Sequence, residues 1–127
     1  MAFGDFYTIS ESLGQSVNDT TSFVQKVRLT TPAVDAGDYR IGFTYTWGNE
    51  STGDDTVVQI EEDDTTVLYT MQAEPKDSGT DQQLPGGGFA QTTLTAGVHT
   101  FDMDFRTTDA GEEARIAQAR LEFWSVV

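Results

Sequence analysis

The chain has 127 residues, no cysteine and a formal net charge of −14. That length predicts one domain with a core large enough to stand without covalent staples, and the missing cysteine excludes disulfides, thiol nucleophiles and cysteine-held metals. The charge repels phosphate backbones and anionic bilayers, so neither nucleic acid nor a membrane surface is an expected partner.

No run approaches the ~18 apolar residues of a membrane span. The opening MAFGDFYTIS has neither a basic nor an apolar signal region, so no secretory leader is expected. Alternation of apolar and polar residues runs through the rest, and helical periodicity is almost absent. Residues 3–9 predict a first strand, followed by a long loop, Ser10–Thr21. Residues 22–31 predict a second, with Phe23, Val27 and Leu29 inward and Lys26 and Arg28 outward. Residues 38–47 follow with Tyr39, Ile41, Phe43, Tyr45 and Trp47 on one face and small or polar residues opposite. That pattern marks a strand with one buried side.

Residues 56–62 present Val58 and Ile60, and residues 65–74 present Val67, Tyr69, Met71 and Ala73. The glycine triplet of Leu84–Ala90 reads as a flexible loop tip or as backbone packed against another chain, ahead of a strand over 88–94. Residues 99–107 bury Phe101, Met103 and Phe105 and turn Asp102, Asp104 and Arg106 outward. Residues 114–127 admit a helix through "EEARIAQAR". A strand with Ala117, Ala119, Leu121 and Phe123 on one face fits better, because seven strands need an eighth to complete two sheets.

The expected fold is therefore all-β: one antiparallel β-sandwich domain over residues 1–127, of about eight strands. Jelly-roll topology is preferred and an immunoglobulin-like sandwich is the alternative. Tight turns at Pro32–Gly37, Glu62–Thr65 and Thr95–Val98 alternate with long loops at 10–21, 48–55, 75–87 and 108–113. Because consecutive strands reverse, the long loops are expected to gather at one end. The segments after Ala36-Gly37 and Ala96-Gly97 repeat one pattern, which predicts a glycine turn leading into a core strand in each half of the sandwich.

Catalytic chemistry finds little support. His99 is the one histidine, no nucleophile elbow accompanies it, and a surface or hydrogen-bonded role is expected. Asp102 and Asp104 are spaced for a pair of glycosidase carboxylates, but a solvated outer face would leave both ionised. The loop acids Asp54, Asp55, Asp77, Asp81 and Asp109 are the candidate Ca²⁺ ligands if their loops meet, since Ca²⁺ takes six to eight oxygens. No EF-hand spacing supports them, so no cofactor is assigned. Trp47 continues a buried face and is expected in the core. In "LEFWSVV" both faces of the last strand are apolar, which makes Trp124 and Val126 interface candidates; Phe89, at the edge of the glycine loop, is another. Phe3 and Phe6 are the residues that would cover that face from within the chain.

The C-terminal quarter carries a resemblance. Ala96-Gly97-Val98-His99, the alternating Phe101–Phe105 and the closing Ile116–Val126 are similar to the end of small jelly-roll proteins carried on tailed-phage particles. The resemblance implies a non-enzymatic virion protein, a capsid decoration, cement or appendage subunit located on the particle. It also implies a homo-oligomer, often threefold, that contacts the major capsid or another virion protein. The competing expectation is a carbohydrate-binding module for host attachment, with exposed aromatics as its ligand platform.

Overall fold

The computed structural model describes residues 7–76 and 83–126, and within them every regular element is a strand. In chain order these are β1 (Thr8–Ser12), β2 (Ser16–Asn18), β3 (Val24–Thr30), β4 (Gly37–Asn49), β5 (Thr56–Glu62), β6 (Thr66–Ala73), β7 (Leu84–Leu94), β8 (Thr100–Thr107) and β9 (Ala114–Ser125). One sheet runs β1–β9–β4–β7, with β2 also on β9; the other runs β3–β8–β5–β6. Both are antiparallel throughout. β1 lies against Ala119–Phe123 and β2 against Ala114–Ile116, so together they form one interrupted strand. Counted that way, eight strands wind through two four-stranded sheets as a jelly roll, and the immunoglobulin-like alternative is not the one adopted.

The core lies between the sheets. Tyr39, Ile41 and Phe43 of β4 face Phe101, Met103 and Phe105 of β8, and each is 2% exposed or less. Phe123 joins the two layers: its ring stacks on Tyr39 at 5.0 Å and meets Phe101 at 5.6 Å. The two glycine-led segments therefore supply one core strand to each sheet. Only Gly97 needs glycine's freedom, at φ 131; Gly37 has no positive φ, and a Cβ there would meet the Tyr39 ring at an ordinary 4.0 Å.

Three departures from simple alternation share one cause. An extra residue in one strand of a pair flips every side chain beyond it to the other face. At Lys26 the β3–β8 register shifts, so Phe23 turns out instead of in. It is 38% exposed and lies under the Arg106 guanidinium at 5.3 Å, while Lys26 itself is buried. At Leu68 the β5–β6 register shifts, and Val67 turns out. In β9 the shift falls at Gln118, whose φ is 50. Ala114 and Ile116 point inward before it; Ala119, Leu121 and Phe123 do so after it. That change of phase is what gave "EEARIAQAR" its helical look. The bulge also faces the break between β1 and β2, where the Gln118 amide donates to the Leu13 carbonyl at 3.0 Å.

Two loop assignments are corrected. The first strand, expected over 3–9, begins at Thr8 within the described residues and runs on as β1 and β2 into the stretch expected to be a loop. The glycine triplet lies within β7, not at a loop tip. A Cβ on Gly86 would lie 2.5 Å from the Tyr45 ring, and one on Gly87, at φ 155, would lie 2.5 Å from the Phe43 carbonyl oxygen. Glycine is required here because backbone meets aromatic core at van der Waals distance.

Three of the four long loops, 10–21, 48–55 and 108–113, do meet at one end; residues 77–82 of the other lie outside the described residues. Gly111 donates to the Asp19 carbonyl, Thr108 to that of Asp55 and Glu50 to that of Glu113. The other end holds the tight turns. Asp63 and Asp64, at φ 50 and 57, are the central residues of a type I′ turn closed by the Thr65 amide on the Glu62 carbonyl.

Candidate functional site: an aromatic groove on an outer sheet face

Alternation in β4 sends Arg40, Gly42, Thr44 and Thr46 away from the core. The register then sets their neighbours. Trp124 and Gln91 flank Arg40, Glu122 and Phe89 flank Gly42, and Arg120 and Gly87 flank Thr44. Gly42 leaves a dip in the middle of this surface. The Trp124 indole leans into it, so that a Cβ on Gly42 would lie 3.1 Å from the ring.

The result is an open groove of about 200 Å³. Gly42, Thr44 and Gly88 form its floor, Phe89 and Trp124 its aromatic walls, and Arg120 and Glu122 its polar wall. Arg120 Nε sits 2.9 Å from Glu122 Oε1, which leaves that wall nearly neutral. The Arg40 guanidinium covers the Phe89 ring at 5.0 Å, yet Phe89 remains 63% exposed. Two of the sequence-level interface candidates, Trp124 and Phe89, thus share one site. Val126 is half-buried next to it, and its amide donates to the Asp38 carbonyl. Phe3 and Phe6 lie outside the described residues. The polar wall was not foreseen, although the strand expected over 114–127 already puts Arg120 and Glu122 on the same face as Trp124.

The acidic end is organised differently. Asp55 accepts from Gln72 Nε2 at 2.7 Å, and Glu50 accepts the Glu113 amide at 2.8 Å. Desolvation and the charges of Glu50, Asp54 and Asp109 hold the Glu112 carboxyl above its usual value. The two loops therefore do bring Asp54 and Asp109 into one acidic neighbourhood. Asp77 and Asp81 lie outside the described residues. Among the described residues, one trio of carboxylates has oxygens within 4.8 Å of one another: Glu61, Asp64 and Asp102, elsewhere in the fold. A guanidinium already fills that place. Arg28 Nε and Nη2 each donate to Asp102 at 2.6 Å, and Nη2 reaches Asp64 at 2.6 Å.

Asp102 and Asp104 do lie on an outer face, that of the second sheet, but they are not solvated as expected; they are 3% and 9% exposed. Asp102 is spent on Arg28. Burial, then the charges of Asp102 and Glu61, pushes Asp104 up to about 6, against the Gln59 hydrogen bond and the Arg28 charge. His99, at the tight-turn end, is buried and bonded through both ring nitrogens. Nδ1 lies 2.6 Å from Asp63 Oδ2, and Nε2 lies 2.8 Å from the Thr95 carbonyl. Both partners are acceptors, so the geometry suits the doubly protonated ring. Burial lowers the His99 pKa, but the Asp63 and Thr95 bonds and the charges of Asp63 and Glu62 raise it further, for a net value above 6.5.

No family model and no curated protein matches this sequence. Solved structures do. The VP2 subviral particle of infectious bursal disease virus matches with a TM-score of 0.62 at 11% identity, over 96% of this chain and 34% of that one. T=1 particles derived from the same virus match at 0.61 and 12%, over 96% and 32%. A carbohydrate-binding module in complex with β-1,4-galactotriose aligns more loosely, with a TM-score of 0.42 at 13% identity, over 93% of this chain and 90% of that one. The expected resemblance to tailed-phage proteins is met only in its coarser form, a viral jelly roll. The chain spans about a third of the length of the capsid chains it matches, and what it shares with them is the fold.

Proposed function

We propose that this chain is a non-enzymatic virion structural protein, a decoration, cement or appendage subunit that binds and stabilises a viral particle. The observation that carries this reading is the unpartnered aromatic groove in a jelly-roll domain. Trp124 and Phe89 stand beside a dip whose floor is Gly42, Gly88 and the small Thr44. Large aromatic residues around a concave, uncharged centre are what a protein contact needs at its core. The acidic remainder of the surface favours a basic docking partner, the major capsid protein or another virion protein, and speeds encounter more than it adds affinity. The carboxylates best spaced for acid–base work are held by Arg28 or packed beside Gln59, which supports a role without catalysis.

Co-sedimentation of the purified chain with particles tests this. The wild type is expected to pellet with them, and Trp124→Ala and Phe89→Ala to lose at least tenfold in affinity. Equal binding by the wild type and both variants would sink the docking surface, and no binding at all would sink the reading.

A second reading has its own observation. A small groove that combines aromatic walls with an Arg–Glu pair suits a pyranose ring, whose faces are apolar and whose edges are hydroxyls. A glycan array positive for a defined sugar, with the signal lost on Trp124→Ala, would put saccharide binding first. Ca²⁺ would not act through this groove, because the loop acids do not line it.

A further inference from the structure

The two sides of the sandwich treat their sheet edges differently. An exposed edge strand offers unpaired backbone N–H and C=O groups to any other strand, and proteins blunt such edges with charge, bulges or breaks. On one side all three devices are present. The first strand is broken between β1 and β2, β3 is bulged at Lys26, and Glu11 and Arg28 add charge. On the other side lie β6 and β7, and neither contains a charged residue, in a chain where more than one residue in five is charged. β6 is still blunted by its bulge at Leu68.

β7 has no such protection. It pairs with β4 through eleven consecutive residues, Leu84 to Leu94, without a register shift, and among the described residues no strand pairs with its other edge. Its first half contains Pro85 and the glycines, which resist pairing. The second half, Phe89–Leu94, has no proline, no glycine and no charge, the composition of a strand that adds readily to another.

We propose that Phe89–Leu94 of β7 is a self-association edge, which pairs antiparallel with the same segment of a second copy of this chain. The charge distribution selects this occupant. Two chains that each carry −14 repel one another over most of their surface, and β7 is the long edge that carries no charge of its own, although the Glu62 and Asp38 carboxylates accept from the Thr92 and Thr93 hydroxyls. A basic partner would be drawn to the acidic surface instead. The pairing is also self-complementary. About a two-fold axis at Gln91, Phe89 lies opposite Thr93 of the second copy and Gln91 opposite its equivalent, all on the outer face of the sheet. A two-fold contact of this kind closes at two chains, whereas a head-to-tail contact would grow. The inference holds whether the groove takes a protein or a sugar, because it rests on the backbone edge.

Light scattering coupled to size exclusion, over a range of concentrations, tests it on the full chain. The wild type is expected to rise from 13.9 kDa to twice that mass. The double variant Phe89→Glu/Gln91→Glu places like charges across the axis and is expected to stay at the single-chain mass. Both positions are exposed, so its melting temperature should stay within a few degrees of the wild type. Trp124→Ala and Val67→Glu leave the β7 edge intact and should still pair. Hydrogen exchange should show amides of 89–94 gaining protection as the dimer forms. A wild type that stays monomeric at all concentrations overturns the proposal, as does a double variant that still pairs. So does loss of pairing in Trp124→Ala alone, which would place the contact on the outer face.

Discussion

At the end of the sandwich where the short turns meet, one imidazole closes the structure; at the other end, where long loops meet, neutral amides do. His99 ties the β5–β6 turn to the β7–β8 turn through Asp63 and the Thr95 carbonyl, beside the Val34–Gly97 backbone bridge. Asn49, 1% exposed, donates to the Asp55 carbonyl and to the Thr56 and Thr107 hydroxyls, and accepts the Ser51 amide. Asn18 does the same for the β2–β3 loop, donating to the Ser22 and Phe105 carbonyls and accepting from Thr20. The difference follows from loop length. Long loops leave many backbone groups without strand partners, and a side-chain amide can both donate and accept. Tight turns leave few, and a single ring suffices. The buried hub is therefore a group that titrates at one end and amides that do not at the other, where the Glu50 carboxylate that accepts the Glu113 amide is the exception.

The largest expected effect breaks the neutral end. Asn49→Ala should cost about 3 kcal/mol in denaturant unfolding, because it strands several buried partners at once. Asn18→Ala should cost somewhat less, about 2 kcal/mol, since part of its site is open to water. Neither loss should depend on pH between 5 and 8, and a strongly pH-dependent loss would undo the contrast between the ends.

Next comes Asp104, which sits on the second sheet between the two ends. Its folded pKa is raised to about 6, so its contribution is fully present below 3.8 and is lost as pH rises through 6. Asp104→Asn should remove that decline, a gain of about 2 kcal/mol at pH 8 relative to wild type. A flat wild-type stability curve from pH 4 to 7 would contradict it.

His99 follows. Its folded pKa is also raised, so its contribution is intact below 6.5 and is lost as pH climbs through the raised value. As the one histidine of the chain, it can be titrated by its own NMR signals. His99→Gln should cost about 1 kcal/mol at pH 6 and less at pH 9, discounted because Asp63 is partly exposed. Amide exchange should quicken with pH around Thr31 and Thr100, relative to intrinsic rates, and not around Asn49.

The smallest effect belongs to the acidic loops. Asp54→Asn relieves like-charge repulsion near Glu112 and should raise the unfolding midpoint only slightly, an effect that salt removes.

Much of this was legible in the sequence. The apolar phases of β4, β5 and β8 stand out because both neighbours of each strand keep register along most of its length, so burial follows alternation. The gathering of the long loops followed from strand reversal alone. Phe23 and Val67 turned the wrong way because a bulge is chosen by how two strands fit, and a single strand's residues do not mark it. Asp102 and Asp104 read as solvated because Arg28 and Gln59 are distant in sequence and meet them only through β3–β8–β5 pairing. The groove was half legible. Trp124 was marked by an apolar face without an evident cover and Phe89 as an aromatic at the edge of the glycine loop, but Gly42 looked like one more small residue.

The sequence by itself determined that this chain is an all-β sandwich with an acidic surface and an aromatic core, because composition and a period of two are local properties. Tertiary structure alone decided which acid meets which base, where the register slips and which aromatic rings share a groove. Each of those depends on residues brought together across strands, where packing and the satisfaction of buried polar groups select one register among several.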